Sequence, residues 1–263
     1  MNPNLTLYAA LAFYGAGTLV ALLSLFAREV RLQHAGLALM VVGFLSHTMW
    51  IGTICTLTGH PPITNLPETA SFIAWLVFLA EIVLFVVYRV HAASFFVYPL
   101  VLILLSISAV VREPFAHSPK LLSRLFTAHL LLTTTGVAAL LIGLAFGLLA
   151  HLQDRALKSK TRGRLWQWIP SLNVCKDVSY RALSIGFSVY TLGLITGVLW
   201  SYRTTAGIVE MRTKEIGAII AWVLFATVLQ SYISGTYRTR RTMFVSAGAF
   251  IAIVVAMLGI HHV

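Results

Sequence analysis

Acidic side chains are scarce: eight in 263 residues, with only 10% of the chain charged in either sign. So little polar material cannot cover a soluble globule, which excludes that class. Two cysteines, Cys55 and Cys175, exclude a disulfide framework, and the lack of a Cys-x-x-Cys-His motif excludes haem attached covalently to this chain. No stretch is long and polar enough to be a linker or a soluble domain, and no internal repeat is evident by inspection. The first apolar run has neither a basic leader nor a small-residue cleavage site after it, so it is expected to be a retained helix.

What fills the chain instead is apolar: 59% of residues, gathered in eight runs at roughly 5–26, 36–58, 68–89, 92–111, 122–150, 181–201, 216–234 and 243–260. About 20 apolar residues cross a bilayer core. The expectation is an all-α polytopic membrane bundle of eight transmembrane helices forming one integral membrane domain over 1–263. A net charge of +11 could suggest nucleic acid, but the basic residues fall in short loops, where the positive-inside bias explains them without that partner. With the N-terminus outside, the inner loops hold Arg28, Arg31, Arg89, the seven from Arg155 to Arg181, and Arg238, Arg240 and Arg241, thirteen in all against six outside. Both termini are therefore expected to be extracytoplasmic. The basic loop 153–180 reads as a segment on the anionic inner leaflet, or as a dock for a cytoplasmic partner.

Polar groups inside the spans are few, and each needs a partner, a cavity or a ligand. They are His47 in the second span, Glu81 in the third, His129 near the outer end of the fifth and Gln230 in the seventh, with His151 and Asp154 expected in water at the inner boundary. A neutral imidazole can either hydrogen-bond in the packing or ligate a metal. Gly193 and Gly197 share one face of the sixth span, a pattern that lets backbones approach. The polar stretch "GHPPITNLPETASFIAW", Gly59 to Trp75, supplies helix-start chemistry at Thr64, Asn65 and Glu68, and its prolines also make a stiff rim.

Several stretches, in order, resemble the CcsA/HemX-like cytochrome c assembly family. "HPPITNLPETASFIAW" is similar to its T-N-L-Y-E-S loop, "LLSRLFTAHLLLTTTGVAAL" to the segment carrying its outer haem-ligand histidine, "SYRALSIGFSVYTLGLITGVLWS" to its I-G-F…L-G-I-I-T-G-A-I-W stretch, and "KEIGAIIAWVLFATVLQS" to its following span. The resemblance implies haem handling for cytochrome c maturation of the system II type, in a bacterial cytoplasmic membrane, with haem presented outside. It implies non-covalent, b-type haem on His129 and on His261 or His262. His47 is the remaining deep imidazole, and Arg203, Arg212 and Lys214 are placed to meet the propionates. It also implies a second membrane protein as partner, with this chain at most a subunit of the haem-attaching synthase. Two departures stand out. The outer loop 206–215, tryptophan-rich in the family, reads "AGIVEMRTKE", and Gln230 replaces the family's embedded histidine. These leave open a HemX-like regulator or scaffold that has lost haem and acts through a protein partner. A secondary transporter, commonly built from paired repeats, is set aside because no repeat is visible.

Overall fold

The computed structural model describes residues 3–27, 29–88, 94–111, 123–159, 170–204 and 213–258. Each expected apolar run forms a helix, giving eight among the described residues: α1 Pro3–Ala27, α2 Val30–Thr58, α3 Leu66–Tyr88, α4 Ser94–Val110, α5 Arg124–Ser159, α6 Leu172–Thr204, α7 Thr213–Ile233 and α8 Thr239–Leu258. Seven are long and apolar enough to cross a membrane; α4, with 17 residues and Pro99 inside it, is shorter than that.

The ends of the helices correct the hydropathy reading. α5 runs 36 residues and α6 runs 33, about 54 Å and about 50 Å at 1.5 Å per residue, well beyond a core of about 30 Å. Most of the expected loop 153–180 is therefore helix. Hydropathy falls where lysines and aspartates begin, but i,i+4 ion pairs carry the helices on: Lys158 to Asp154 at 2.7 Å and Arg181 to Asp177 at 2.9 Å. His151, expected in water, is only 9% exposed. Cys175, expected in that loop, is a fully buried residue of α6.

The described chain divides into two compact units, one holding α1 to α4 and the other α5 to α8. In the second, α5 and α6 pack antiparallel on rungs that set a glycine against a larger partner. Gly136 meets Tyr190, Gly186 meets Leu140, Gly143 meets Leu183, Gly193 meets Thr133 and Gly197 meets His129; a Cβ on any of these glycines would lie 2.6–2.8 Å from its neighbour. Without a hydrophobic drive between helices in lipid, such close van der Waals fit is what holds the pair.

The first unit is built on the same plan. Gly43 against Tyr14, Gly17 against Met40 and Gly36 against Ala21 repeat three successive rungs of the α5–α6 pair. Trp75 of α3 stacks on Phe44 at 5.4 Å and donates its indole N–H to Thr48 Oγ1 at 2.9 Å. Trp222 of α7 stacks on Phe187 at 5.4 Å and donates to Thr191 Oγ1 at 2.9 Å. Phe78 meets Tyr98 on α4, as Phe225 meets Phe250 on α8. The matching residues spell Gly-Phe-x-x-[His/Tyr]-Thr at 43–48 and 186–191, and Glu-x4-Ile-Ala-Trp-x-x-Phe at 68–78 and 215–225. A repeat thus exists where inspection of the sequence found none: the identities are few, and connections of different length shift their offsets.

Candidate functional site

His129 sits one turn into α5, half-buried, on the second rung of the α5–α6 pair. Its Nδ1 lies 2.7 Å from the Gly193 carbonyl oxygen. A carbonyl only accepts, so Nδ1 carries the proton and Nε2 carries the lone pair. This is the arrangement of a metal-binding imidazole, whose second nitrogen is tied to a backbone carbonyl or carboxylate that fixes tautomer and ring plane. Gly197 supplies the space, since a Cβ there would lie 2.6 Å from Nδ1 and 2.7 Å from Cε1. Beyond His129 the next rung is aromatic, with Phe126 and Trp200 at 4.5 Å between ring centroids and Phe126 at 6.4 Å from the imidazole. Arg203, on the last turn of α6, is exposed at the same end.

Gly197, Trp200 and Phe126 went unread as site residues in the sequence. The glycine pair looked like ordinary helix packing, and it is packing. The finer signal lay in alignment: residues 126, 129, 133, 136, 140, 143 and 147 of α5 step by threes and fours against 200, 197, 193, 190, 186, 183 and 179 of α6, with a glycine opposite a larger residue on the five middle rungs.

The start of α7 and the end of α8 lie at this end of the second unit. Gly217, near the start of α7, packs on Ala252 and Ala256 near the end of α8, and Tyr190, two rungs from His129, hydrogen-bonds the Ala218 carbonyl. Helix α8 therefore ends at the same end as His129. His261, His262 and Arg212 lie outside the described residues, and so does the Lys214 side chain, though its backbone is in the first turn of α7. Among the described residues no group of three His, Cys, Asp or Glu side chains is placed to hold a metal. A two-imidazole site falls below that number.

His47 is differently placed. It is fully buried, with Nε2 2.7 Å from Ser71 Oγ and Nδ1 3.5 Å from the Tyr14 hydroxyl. Iron at Nε2 would displace Ser71. Its counterpart in the second unit is Tyr190, which reaches residue 218 as His47 reaches the matching residue 71. In this geometry both are posts tying the second helix of a unit to the third. Gln230 lies on the exposed face of α7.

In the loop of the first unit, Glu68 is 2% exposed. Its Oε2 accepts from the Thr64 N–H and hydroxyl at 3.0 and 2.7 Å, its Oε1 from the Asn65 amide at 3.3 Å, and its own N–H donates to Asn65 Oδ1 at 2.9 Å. This is a variant of the capping box, with Asn65 as N-cap and the Glu68 carboxylate reaching one residue further back, to the Thr64 N–H. Gly59 ends α2 in the left-handed region, φ 78°, with its N–H on the Cys55 carbonyl. Capping accounts for Thr64, Asn65 and Glu68, while the His60 ring turns to the Pro61 carbonyl, Nδ1 to O 2.9 Å.

Sequence comparison gives the family. Residues 63–263 match the family model described as cytochrome C assembly protein. The chain belongs to the cytochrome c assembly protein family. Among its relatives are the cytochrome c biogenesis protein CcsA of Prochlorococcus marinus (strain MIT 9301), 26% identical over 78% of this chain and 74% of the relative, and the CcsA of Guillardia theta, 23% identical over 98% and 90%. Protein HemX of Bacillus subtilis (strain 168) is 26% identical over 71% of this chain and 66% of its own length. For a cytochrome c assembly protein, the His129 rung falls inside the matched region, as do both loops that precede α3 and α7 from residue 63 onward.

Proposed function

We propose that this chain is a haem-handling membrane subunit of cytochrome c assembly, of the system II type, which holds non-covalent, b-type haem at the extracytoplasmic face of a bacterial cytoplasmic membrane. His129 supplies one iron ligand through Nε2, and His261 or His262, following the end of α8, supplies the second. Arg203, with Arg212 and Lys214, meets the propionates; Phe126 and Trp200 flank the ligand. The observation that carries the reading is the Nδ1–H bond of His129 to the Gly193 carbonyl, seated against Gly197. Capping accounts for Glu68 and interhelical hydrogen bonding for His47. His129 differs in that its interhelical bond goes to a backbone carbonyl, with a glycine facing the ring, which makes Nε2 the basic nitrogen. The outward orientation of that end rests on the basic-residue count.

Haem, when bound, supplies the porphyrin that is to be attached to the cytochrome. This chain's residues orient it: His129 fixes the iron's position and the cations fix the propionate edge. Attachment itself is assigned to a complex with a second membrane protein. Haem titration of the purified full chain tests the reading. A Soret band is expected in the wild type, lost or shifted in His129→Ala and kept in His47→Gln; a band indifferent to position 129 refutes it.

One observation favours a second reading, a HemX-like scaffold: the 206–215 loop keeps none of the family's tryptophans. That reading expects a stoichiometric protein partner in detergent and no haem.

A further inference from the structure

The first unit has its own cavity, of about 160 Å³, at the end bounded by the start of α1, Trp50, the Asn65–Glu68 turn and the end of α4. It is close in size to a roughly 150 Å³ engineered cavity that holds benzene, so a group of about six heavy atoms fits. Among the described residues Glu68 is the only charged one lining it; Asn4, Tyr8, Asn65 and Ser108 add neutral polar atoms, and Trp50 and Leu7 an apolar wall. A carboxylate has about four acceptor positions, and three are taken by Thr64 and Asn65. One remains for a further donor.

The repeat supplies an independent reason to look at this end. The two units keep the same core, pairing Ala74 with Ala221 and Phe78 with Phe225, all fully buried, and part company at the head. Where the second unit has Gly193, against whose carbonyl His129 rests, the register of the first has Trp50. Where the second has Gly197, making room for the imidazole, the first has the fully buried Ile54. One head is built around an imidazole, the other around a carboxylate and an indole beside an open space.

We infer that this cavity is a second binding site, for the end of a primary alkylammonium group, with the ammonium on Glu68 and over the Trp50 ring and the methylenes against Leu7. A buried anion with an unfilled acceptor position selects a cation that donates hydrogen bonds, an indole face adds cation–π attraction, and the volume admits a four-carbon chain. Among the described residues no basic side chain lines the cavity to compete. The inference does not depend on haem binding.

The test titrates the full chain in detergent with n-butylammonium chloride and reads Tm, against the neutral alcohol 1-pentanol, one methylene longer, and against sodium chloride at matched ionic strength. A saturable rise with butylammonium alone is expected. Glu68→Gln keeps an acceptor for Thr64 and loses the bond from Asn65, so it starts from a somewhat lower Tm, and its affinity for butylammonium falls at least tenfold. Ala109→Phe, which fills the cavity from α4, abolishes the shift in a chain that still unfolds cooperatively. Acetyl-lysine methylamide identifies the source: binding shows that the site admits a lysine carried on a polypeptide, and its failure beside butylammonium binding assigns a free amine. Equal shifts from pentanol or sodium chloride, no shift in the wild type, or undiminished affinity in both variants would overturn the inference.

Discussion

Replacing Gly197 by alanine puts one methyl group where the structure leaves none, and its effect can be worked from distances. The new Cβ would sit 2.6 Å from His129 Nδ1 and 2.7 Å from Cε1, whereas ordinary contact begins at 3.4 Å. The ring must therefore retreat by roughly 0.8 Å or the helices must part, since repulsion at these separations is far steeper than any dispersion gain. Either movement stretches the 2.7 Å bond to the Gly193 carbonyl toward or past the 3.5 Å limit at which it ceases to be one. Losing that bond costs about 1 kcal/mol, and overpacking adds about 1–3 kcal/mol. For a metal ligand, losing the group that orients it costs on the order of 10- to 100-fold in affinity. The control is Gly186→Ala, whose Cβ would lie 2.8 Å from the Leu140 backbone nitrogen, an equal insult to the same helix pair two helical turns or more from the imidazole. Both variants should lower Tm by similar amounts in detergent, while haem titration followed at the Soret band should weaken on the order of tenfold or more only in Gly197→Ala. If the two variants lose haem affinity equally, or neither does, the imidazole is not the ligand that this packing orients.

Two further outcomes follow from contacts away from that rung. Thr48→Val and Thr191→Val each remove the acceptor of an indole N–H at matching places in the two units, so each should destabilise by about 1 kcal/mol, and the double variant should be additive because the sites belong to separate units. A strong excess in the double, read from denaturant or thermal unfolding, would show that they are not independent. Between α7 and α8, burial pushes the Tyr237 phenol up, helped by the neighbouring Tyr232. A folded pKa above the unfolded value of about 10 means the contribution is intact below that value and is lost as pH rises through and above it. Tm should therefore fall above about pH 10, and Tyr237→Phe should flatten that part of the profile; an unchanged alkaline slope in the variant would contradict the assignment.

How far residues alone led can be seen element by element. Helices with a long apolar run, such as α1 and α3, were legible to within two residues at each end, because in a bilayer only a helix satisfies the backbone of such a run. The extensions of α5 and α6 were not, because hydropathy measures lipid compatibility and stops at the first charges, while Asp154–Lys158 and Asp177–Arg181 keep the helix going in water. His129 was found through its family context. What sets it apart physically, a carbonyl on Nδ1 and a glycine beneath the ring, depends on the alignment of α5 with α6, and no single helix carries that information. His47 shows the converse: an isolated imidazole deep in a span looks functional until Ser71 and Tyr14 are seen to occupy its nitrogens. Glu68 was legible as a cap from spacing alone, since Asn65 three residues earlier is a helix-start signature.

The repeated contacts also alter which mechanisms the architecture permits. Absence of a repeat was one ground for setting a transporter aside, and that ground disappears once Gly43–Thr48 and Gly186–Thr191 are seen to do the same work in two units. What sets the transporter aside is the family match across 63–263. A shared plan also explains why the imidazole seat is confined to one unit. An interhelical post survives exchange of His47 for Tyr190, because either ring can reach the third helix. A seat for an imidazole needs an empty volume facing it, and Ile54 fills that volume in the first unit where Gly197 opens it in the second. The position that distinguishes the two copies is thus a missing side chain on α6, and it specifies, as much as the histidine on α5 does, where an imidazole can sit.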